Sequence, residues 1–220
     1  IKDACIYFVE QFDIDGYRFD LMGITDIKTM NEIRDELIKI KPNIFLYGEG
    51  WNMACGIEES ERATMQNHKQ LPGYAYFNDH FRNEVGGKLD GSDLGILEPL
   101  PQEVLDDVMN GSPSIFDNPN QSINYVECHD NYALADKLEI LGLGVKEAYH
   151  YIEATIKAKG HPFLQIGQSF FRNKQGVENS YKSPDEINMI RWEFLDKHSE
   201  LNQFTKELIL NRTHNVSSNN

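Results

Sequence analysis

The chain has 220 residues, of which 40% are hydrophobic and 11% aromatic, a composition typical of a globular protein that can bury a sizeable core. It carries 21 basic and 35 acidic residues, a formal charge of −14. That charge argues against a nucleic acid or an anionic membrane as partner, because both would be repelled. A neutral ligand remains compatible. No apolar run reaches the length that spans a bilayer.

The three cysteines, Cys5, Cys55 and Cys128, are an odd number without the spacing of a metal site. They predict neither a disulfide framework nor a metal centre, and we expect small buried side chains. The chain begins at Ile1 rather than Met, within a helical pattern. We therefore expect the native N-terminus to lie upstream, and the location, cytoplasmic or secreted, stays open.

The first fifty residues alternate between helical and strand patterns. Apolar residues recur at helical spacing over 1–12, and a strand is predicted at roughly 16–22. A second helix is predicted over 27–40, with Asp26 as its N-cap. The short apolar run at 44–48 predicts a buried parallel strand.

The pattern loosens between residues 52 and 120. A polar helix is predicted at 58–66, an aromatic strand at 73–77 and a short helix at 81–85. Glycines and prolines predict loops and turns for the rest. Because long connections in compact domains are usually functional, this region is predicted to form the wall of a cleft.

The remaining chain returns to alternation. A strand is predicted at 122–127, an amphipathic helix at 145–156, a short strand at 163–167, and two final helices from Pro184 onward. Strands that alternate with helices predict an α/β fold with a parallel sheet. About four strands can be counted, half of an eight-stranded barrel.

Three of the predicted strand ends carry carboxylates. Arg18 and Asp20 project to the same side of a strand, and a neighbouring cation keeps a carboxylate ionised, as a nucleophile requires. Taken alone, the Arg18–Asp20 pair favours a structural ion pair over a catalytic role. Glu49 and Asp130 end two further strands, however, and parallel barrels place their chemistry where strands run into loops.

The residues around these carboxylates resemble the α-amylase-type glycoside hydrolases and, within them, the type I pullulanases, which debranch α-glucans. DGYRFDLMG (15–23), YGEGW (47–51) and INYVECHDN (123–131) are similar to three signature regions of that family, in its order. The resemblance covers about residues 1–212. It implies a partial (β/α)8 TIM barrel, roughly strands 4 to 8 with their helices, followed by a polar tail at 213–220. The N-terminal half of the barrel and a C-terminal β-domain are missing from this pattern.

The resemblance also implies roles for individual residues. Asp20 matches the catalytic nucleophile, Glu49 the general acid/base, and Asp130 a third carboxylate that binds sugar hydroxyls and stabilises the transition state. Arg18 and His129 match residues that hold the nucleophile and the sugar. The substrate-binding residues predicted in this way are Arg18, His129, Trp51 and Asn131. For Trp51, Tyr74, Tyr76 and Phe77, taken one by one, the sequence favours a place in the core over a sugar-binding role.

Two departures from the family pattern accompany these matches. The first signature region is absent, and Ser169 stands where pullulanases more usually have Glu. Because a half barrel leaves a parallel strand edge unpaired and half its core exposed, the chain alone is expected to be inactive and prone to aggregate. No cofactor is predicted, although calcium is possible in the family. A metal site at Glu127 and His129 is disfavoured because no third ligand is evident.

The implied activity is retaining hydrolysis of α-1,6-glucosidic branch links in pullulan, glycogen or starch-derived dextrins. Two alternatives keep the mechanism but change the specificity: an isoamylase, or a neopullulanase or α-amylase-like enzyme that cleaves α-1,4 links. Two others are not enzymes: a non-catalytic glycosidase-like barrel and a glucan-binding module. All of the catalytic readings require Asp20, Glu49 and Asp130 to meet at one rim of a parallel sheet.

Overall fold

The computed structural model describes the backbone of residues 1–217 and the side chains of residues 1–214. The helices and strands are, in chain order, α1 (Lys2–Phe12), β1 (Gly16–Phe19), α2 (Ile27–Ile40), β2 (Phe45–Gly48), β3 (Tyr74–Phe77), α3 (Asp79–Gly86), α4 (Gln102–Met109), β4 (Ser122–Asn124), α5 (Leu134–Ile140), α6 (Val145–Lys157), β5 (His161–Pro162), α7 (Asp185–Asn188), α8 (Glu193–Lys197) and α9 (Ser199–Ser217).

The chain divides into two compact units. The first comprises Ile1–Phe77 and Ile115–Ser122, and the second comprises Asn78–Ser114 and the chain from Ile123 onward. Of the helices that the structure describes, none has the length and apolar character needed to cross a membrane.

The first unit contains three parallel strands. β2 lies between β1 and β3, with Tyr47 opposite Arg18 on one side and Ala75 on the other. Met30, Ile33 and Leu37 of α2 are buried in the core of this unit, as expected of an amphipathic helix that covers a sheet. The carboxyl ends of parallel strands lie at one edge of their sheet. Residues that follow β1 and β2 are therefore neighbours.

Asp26 caps α2, as predicted. Its Oδ1 accepts a hydrogen bond of 2.8 Å from the Thr29 N–H, and its Oδ2 accepts one of 2.7 Å from the Thr29 hydroxyl. Both bonds favour the charged carboxylate and lower the pKa of Asp26. The cap satisfies a backbone donor that the first turn of a helix leaves unpaired.

The second unit contains β4 and β5, which pair in parallel with Ile123 opposite His161. One buried cluster packs α3 and α4 against α6. A second packs α5 and α6 with Phe171 and Leu201. Both units thus have the parallel strands and flanking helices of the predicted α/β class.

The polar helix predicted at 58–66 is wrong. Two 3₁₀ segments, Glu59–Glu61 and Met65–Gln70, occupy this region. Between them, Arg62 is extended and forms an antiparallel bridge with Asp26. Because the Ala63 N–H donates to the Thr25 carbonyl at 2.8 Å, it cannot continue a helix.

The strand predicted at 163–167 is also misplaced, since β5 lies at His161–Pro162. Beyond it, Gly167 has a positive φ of 93° and begins a 3₁₀ turn. The predicted strands at 16–22 and 122–127 are real but end earlier, at Phe19 and Asn124. Apolar residues continue past each end because the following turns are themselves packed.

Two short helices were not predicted, and the end of the chain holds three helices rather than two. The helices α4 and α5 lie in stretches expected to be loops or simply polar. Helix α9 extends to Ser217. The predicted tail at 213–220 therefore begins inside a helix, and residues 218–220 lie outside the described part of the chain.

The three cysteines form no disulfide, as predicted. Cys5 is buried in the core of the first unit. Cys55 and Cys128 are only partly buried, so the expectation of burial is wrong for both of them.

Candidate active site

In the first unit, Arg18 joins the two predicted catalytic carboxylates. Its guanidinium donates through Nη1 to Oδ1 of Asp20 and through Nη2 to Oε1 of Glu49. The carbon at the centre of the guanidinium lies 5.5 Å from the centre of the Phe77 ring, within the range of a cation–π interaction. A single guanidinium therefore contacts and orients both carboxyl groups.

Glu49 directly follows β2 and is 4% exposed. Its Oε2 accepts a hydrogen bond of 2.9 Å from the Leu21 N–H. Its backbone is tied to the same turn, since its N–H donates to the Phe19 carbonyl at 3.1 Å and its carbonyl accepts from the Gly23 N–H at 2.9 Å. The segment 18–23 thus fixes both the backbone and the carboxylate of Glu49.

Asp20 lies one residue beyond β1, and its side chain is 64% exposed. The next residue, Leu21, has a left-handed backbone with φ 46°. This conformation is strained for a residue with a branched side chain and is found mostly where function demands it. Here it directs the Leu21 N–H at Glu49. The same turn therefore exposes the Asp20 side chain and hydrogen-bonds the Glu49 carboxylate.

Two glycines allow this turn to approach its neighbours. A Cβ at Gly23 would lie 2.0 Å from the Trp51 carbonyl oxygen, and a Cβ at Gly50 would lie 2.7 Å from the Met65 nitrogen. Neither position leaves room for a side chain. Gly23 and Gly50, which follow Asp20 and Glu49 in the chain, therefore set how closely the segments after β1 and β2 can pack.

Trp51 is partly buried at the end of this segment. Tyr74, Tyr76 and Phe77 are at most 3% exposed, so the prediction that these three are core residues is confirmed. Sugar binding by Trp51 stays a prediction.

In the second unit, His129, Asp130 and Asn131 lie in an irregular turn at 128–133, between β4 and α5. The His129 Nε2 is 3.5 Å from Oδ1 of Asp130, and both side chains are half exposed. Asn131 has a left-handed backbone with φ 60°. The turn therefore has the same pattern as the one after β1, an exposed aspartate followed by a residue with positive φ.

Glu127, at the start of this turn, is a buried group that the sequence did not single out for a structural role. It is 3% exposed, and its Oε2 accepts a hydrogen bond of 3.0 Å from the Leu134 N–H. This bond closes the base of the turn. Burial raises the pKa of Glu127 to about 8, because a low-dielectric environment disfavours the charged form.

No family model matches the chain, but proteins of known identity do. The pullulanase of Bacillus subtilis is 38% identical over an alignment of 225 positions, gaps included, and this alignment covers 95% of the chain. The crystal structure of a pullulanase from Anoxybacillus complexed with maltotriose matches with a TM-score of 0.92 and 38% identity over 96% of the chain. The pullulanase from Paenibacillus barengoltzii, in complex with maltohexaose and α-cyclodextrin, matches with a TM-score of 0.90 and 36% identity over 96% of the chain. Over nearly all of its length, the chain is therefore similar to pullulanases.

The match covers only part of each relative. The chain spans 31% of the length of the Bacillus subtilis pullulanase and 32% of the Anoxybacillus structure. The predicted fold class, a partial (β/α)8 barrel, is confirmed by the close agreement with the solved pullulanases. The predicted resemblance to type I pullulanases is likewise confirmed.

Ser169, the departure from the usual pullulanase pattern, lies in the 3₁₀ turn after β5. Its hydroxyl donates to Oδ1 of Asn202 on α9 at 3.0 Å. In this chain the position therefore links a turn to the last helix, and a glutamate there could not donate the same bond while ionised.

Proposed function

We propose that this chain supplies the catalytic carboxylates of a retaining glycoside hydrolase that cleaves α-1,6-glucosidic branch links in pullulan, glycogen or starch-derived dextrins. The observation that carries the proposal is the contact of Arg18 with both Asp20 and Glu49, in a chain that is 38% identical to a pullulanase. The proposal concerns a whole protein of pullulanase length, since the Bacillus subtilis pullulanase is about three times as long as this chain.

In the proposed reaction, Asp20 attacks the anomeric carbon while Glu49 protonates the departing glycosidic oxygen. Retaining enzymes use two carboxyl groups about 5 to 5.5 Å apart for this purpose. Glu49, now deprotonated, then takes a proton from the water that hydrolyses the covalent intermediate. The exposure of Asp20 suits a nucleophile that must reach substrate, and the burial of Glu49 suits a proton donor shielded from water.

Arg18 has two roles in this scheme. It orients Asp20 for attack, and it lies beside Glu49 when Glu49 becomes negatively charged on giving up its proton. The Leu21 N–H, which donates to Glu49 Oε2, fixes the other carboxylate oxygen. Because these donors are in place before reaction, little reorganisation is needed as charge moves between the two carboxylates.

We propose that Asp130, His129, Asn131 and Trp51 bind the sugar. Support comes from the solved relatives, which are complexes with maltotriose and maltohexaose. That these residues and the two carboxylates meet in a single pocket stays a prediction. A crystal structure with maltotriose would test it directly, since one ligand should contact Asp20, Glu49 and Asp130.

The decisive experiment measures pullulan hydrolysis in a polypeptide that extends this chain to pullulanase length. Asp20→Asn and Glu49→Gln preserve shape but remove the nucleophile and the proton donor, and each should lower kcat by about 10³-fold. The matched control is Glu36→Gln, which alters a partly exposed carboxylate on α2 and should leave turnover unchanged. Near-normal turnover in either site variant would refute the assigned role.

The products distinguish the specificities. Release of maltotriose from pullulan, with retained anomeric configuration by proton NMR, supports α-1,6 cleavage by double displacement. Panose-type products would instead indicate cleavage of α-1,4 links. Absence of any hydrolysis by the extended protein would contradict the proposed function altogether.

A further inference from the structure

Both backbone polar groups of Asn131 are held by side chains from one distant segment, residues 174–179, which we call the 174–179 strap. The Asn131 N–H donates to Oδ1 of Asn179 at 3.0 Å, and the Asn131 carbonyl accepts from Nζ of Lys174. Asn131 directly follows Asp130. The backbone on the C-terminal side of that aspartate is thus fixed from outside the turn.

Lys174 is a buried cation, with 2% of its surface exposed. Besides Asn131, its ammonium group donates to the Glu178 carbonyl at 2.6 Å. Burial lowers the pKa of Lys174, so burying its charge costs free energy. The two carbonyl acceptors, with attraction from Asp136, offset part of this cost.

The 174–179 strap is itself anchored to α5. Asp136, which is 1% exposed, accepts the Lys174 N–H through Oδ2 at 2.7 Å and the Gly176 N–H through Oδ1 at 2.6 Å. Helix α5 begins immediately after the turn at 128–133. The turn is therefore enclosed between Glu127 and Leu134 at its base and the strap at its tip.

We propose that Lys174 and Asn179 are positioning residues that fix the aim of Asp130 and His129 through the backbone of Asn131. This inference rests on the proposed function. Asn131 has a left-handed backbone, which asparagine tolerates but which is less favoured than ordinary backbone angles. This conformation sets the direction in which the preceding side chains project. Without both hydrogen bonds, the turn relaxes toward ordinary backbone angles, and Asp130 moves with it.

Asn179 is the residue to change, because it is exposed and its loss leaves no buried charge. Asn179→Ala removes the acceptor, whereas Asn179→Asp keeps an oxygen at the same place. Lys174→Met removes the second contact, with Lys182→Met as its matched control, since Lys182 is exposed on the same stretch of chain. Melting temperature would report any general loss of structure.

Two readouts are combined on the protein extended to pullulanase length. In Asn179→Ala we expect kcat for pullulan to fall about tenfold with little change in KM, because small displacements of a catalytic group are costly. We also expect the Asn131 amide to exchange with solvent about tenfold faster, because its hydrogen bond is lost. Asn179→Asp should restore both properties to within about twofold of the parent protein.

If the parent is active, an Asn179→Ala variant with the parent's kcat would overturn the positioning role. So would an Asn179→Ala variant in which the Asn131 amide exchanges at the parent's rate. So would a loss in Asn179→Asp equal to that in Asn179→Ala. A parent that does not hydrolyse pullulan would refute the proposed function instead. The exchange rates of Asn179→Ala and Lys174→Met would then decide alone whether the 174–179 strap fixes the turn.

Discussion

Arg18 illustrates how much one residue determines in the first unit. It lies on β1, contacts the carboxylates of Asp20 and Glu49 and covers the ring of Phe77. The two carboxylates come from different strand ends, and mutual repulsion would separate them without a shared cation. Lysine could not replace it in the same way, because its three N–H donors share one nitrogen, whereas Arg18 contacts the two carboxyl groups through separate nitrogens of a planar fork.

Glu127 provides a prediction about pH. Its pKa is about 8 in the folded chain, against an ordinary value of 4.5, so between these values the folded state holds a proton that the unfolded state has released. Stability contributed by this group therefore falls as pH rises from about 4.5 to 8. Glu127→Gln keeps an oxygen for the Leu134 N–H and does not titrate. We expect the variant to be more stable than the original chain at pH 8, with the gap closing toward pH 4.5.

Urea denaturation at pH 5 and pH 8 checks this expectation. Glu186→Gln, which changes an exposed carboxylate in the same unit, should leave the pH dependence unaltered. Parallel stability curves for Glu127→Gln and the unmodified chain would contradict a raised pKa at Glu127.

Some of these residue contacts could be predicted from the sequence and others could not. The contact of Arg18 with Asp20 follows from their two-residue spacing, since a strand places such residues on one side. The bonds of Asn131 to Lys174 and Asn179 span 43 and 48 residues. They form only because the loop at 174–179 folds back onto the turn at 128–133, and no local sequence pattern predicts this long-range contact.

At the scale of elements, α2 gives the clearest stability prediction. Asp26→Ala removes both bonds to Thr29 and should lower the free energy of unfolding by about 1 kcal/mol. Urea denaturation measures the change. Glu36→Ala, on the exposed face of the same helix, should cost less than about 0.5 kcal/mol. An equal effect of the two substitutions would show that the cap contributes nothing special.

The elements differ in how well the sequence predicted them, and length is the reason. Helices α2 and α6 have 14 and 13 residues, long enough for several turns of apolar periodicity. Helices α4 and α5 have eight and seven, so each shows at most two turns of the pattern. The region 58–66 has helical composition, but its backbone pairs with the start of α2 instead, a tertiary effect that overrides local preference.

At the scale of the whole molecule, charge and exposed apolar surface oppose each other. The formal charge of −14 keeps molecules apart at low ionic strength. Yet Tyr7, Phe8 and Phe12 on α1 are 54%, 47% and 62% exposed, and the centres of their rings lie 5.5 to 6.3 Å from one another. A cluster of exposed aromatic rings is an association surface.

We therefore expect the 220-residue chain to self-associate at micromolar concentration, and more strongly as salt screens its charge. Phe8→Lys/Phe12→Lys should reduce association in light scattering without changing the far-UV circular dichroism. The matched control, Glu10→Gln/Gln11→Lys, changes the formal charge by the same two units at exposed positions of the same helix but keeps the rings. Because both variants weaken the net negative charge, electrostatic repulsion falls equally in each. Only removal of the aromatic surface can then make the first variant associate less, and equal association of the two would place the contact surface elsewhere.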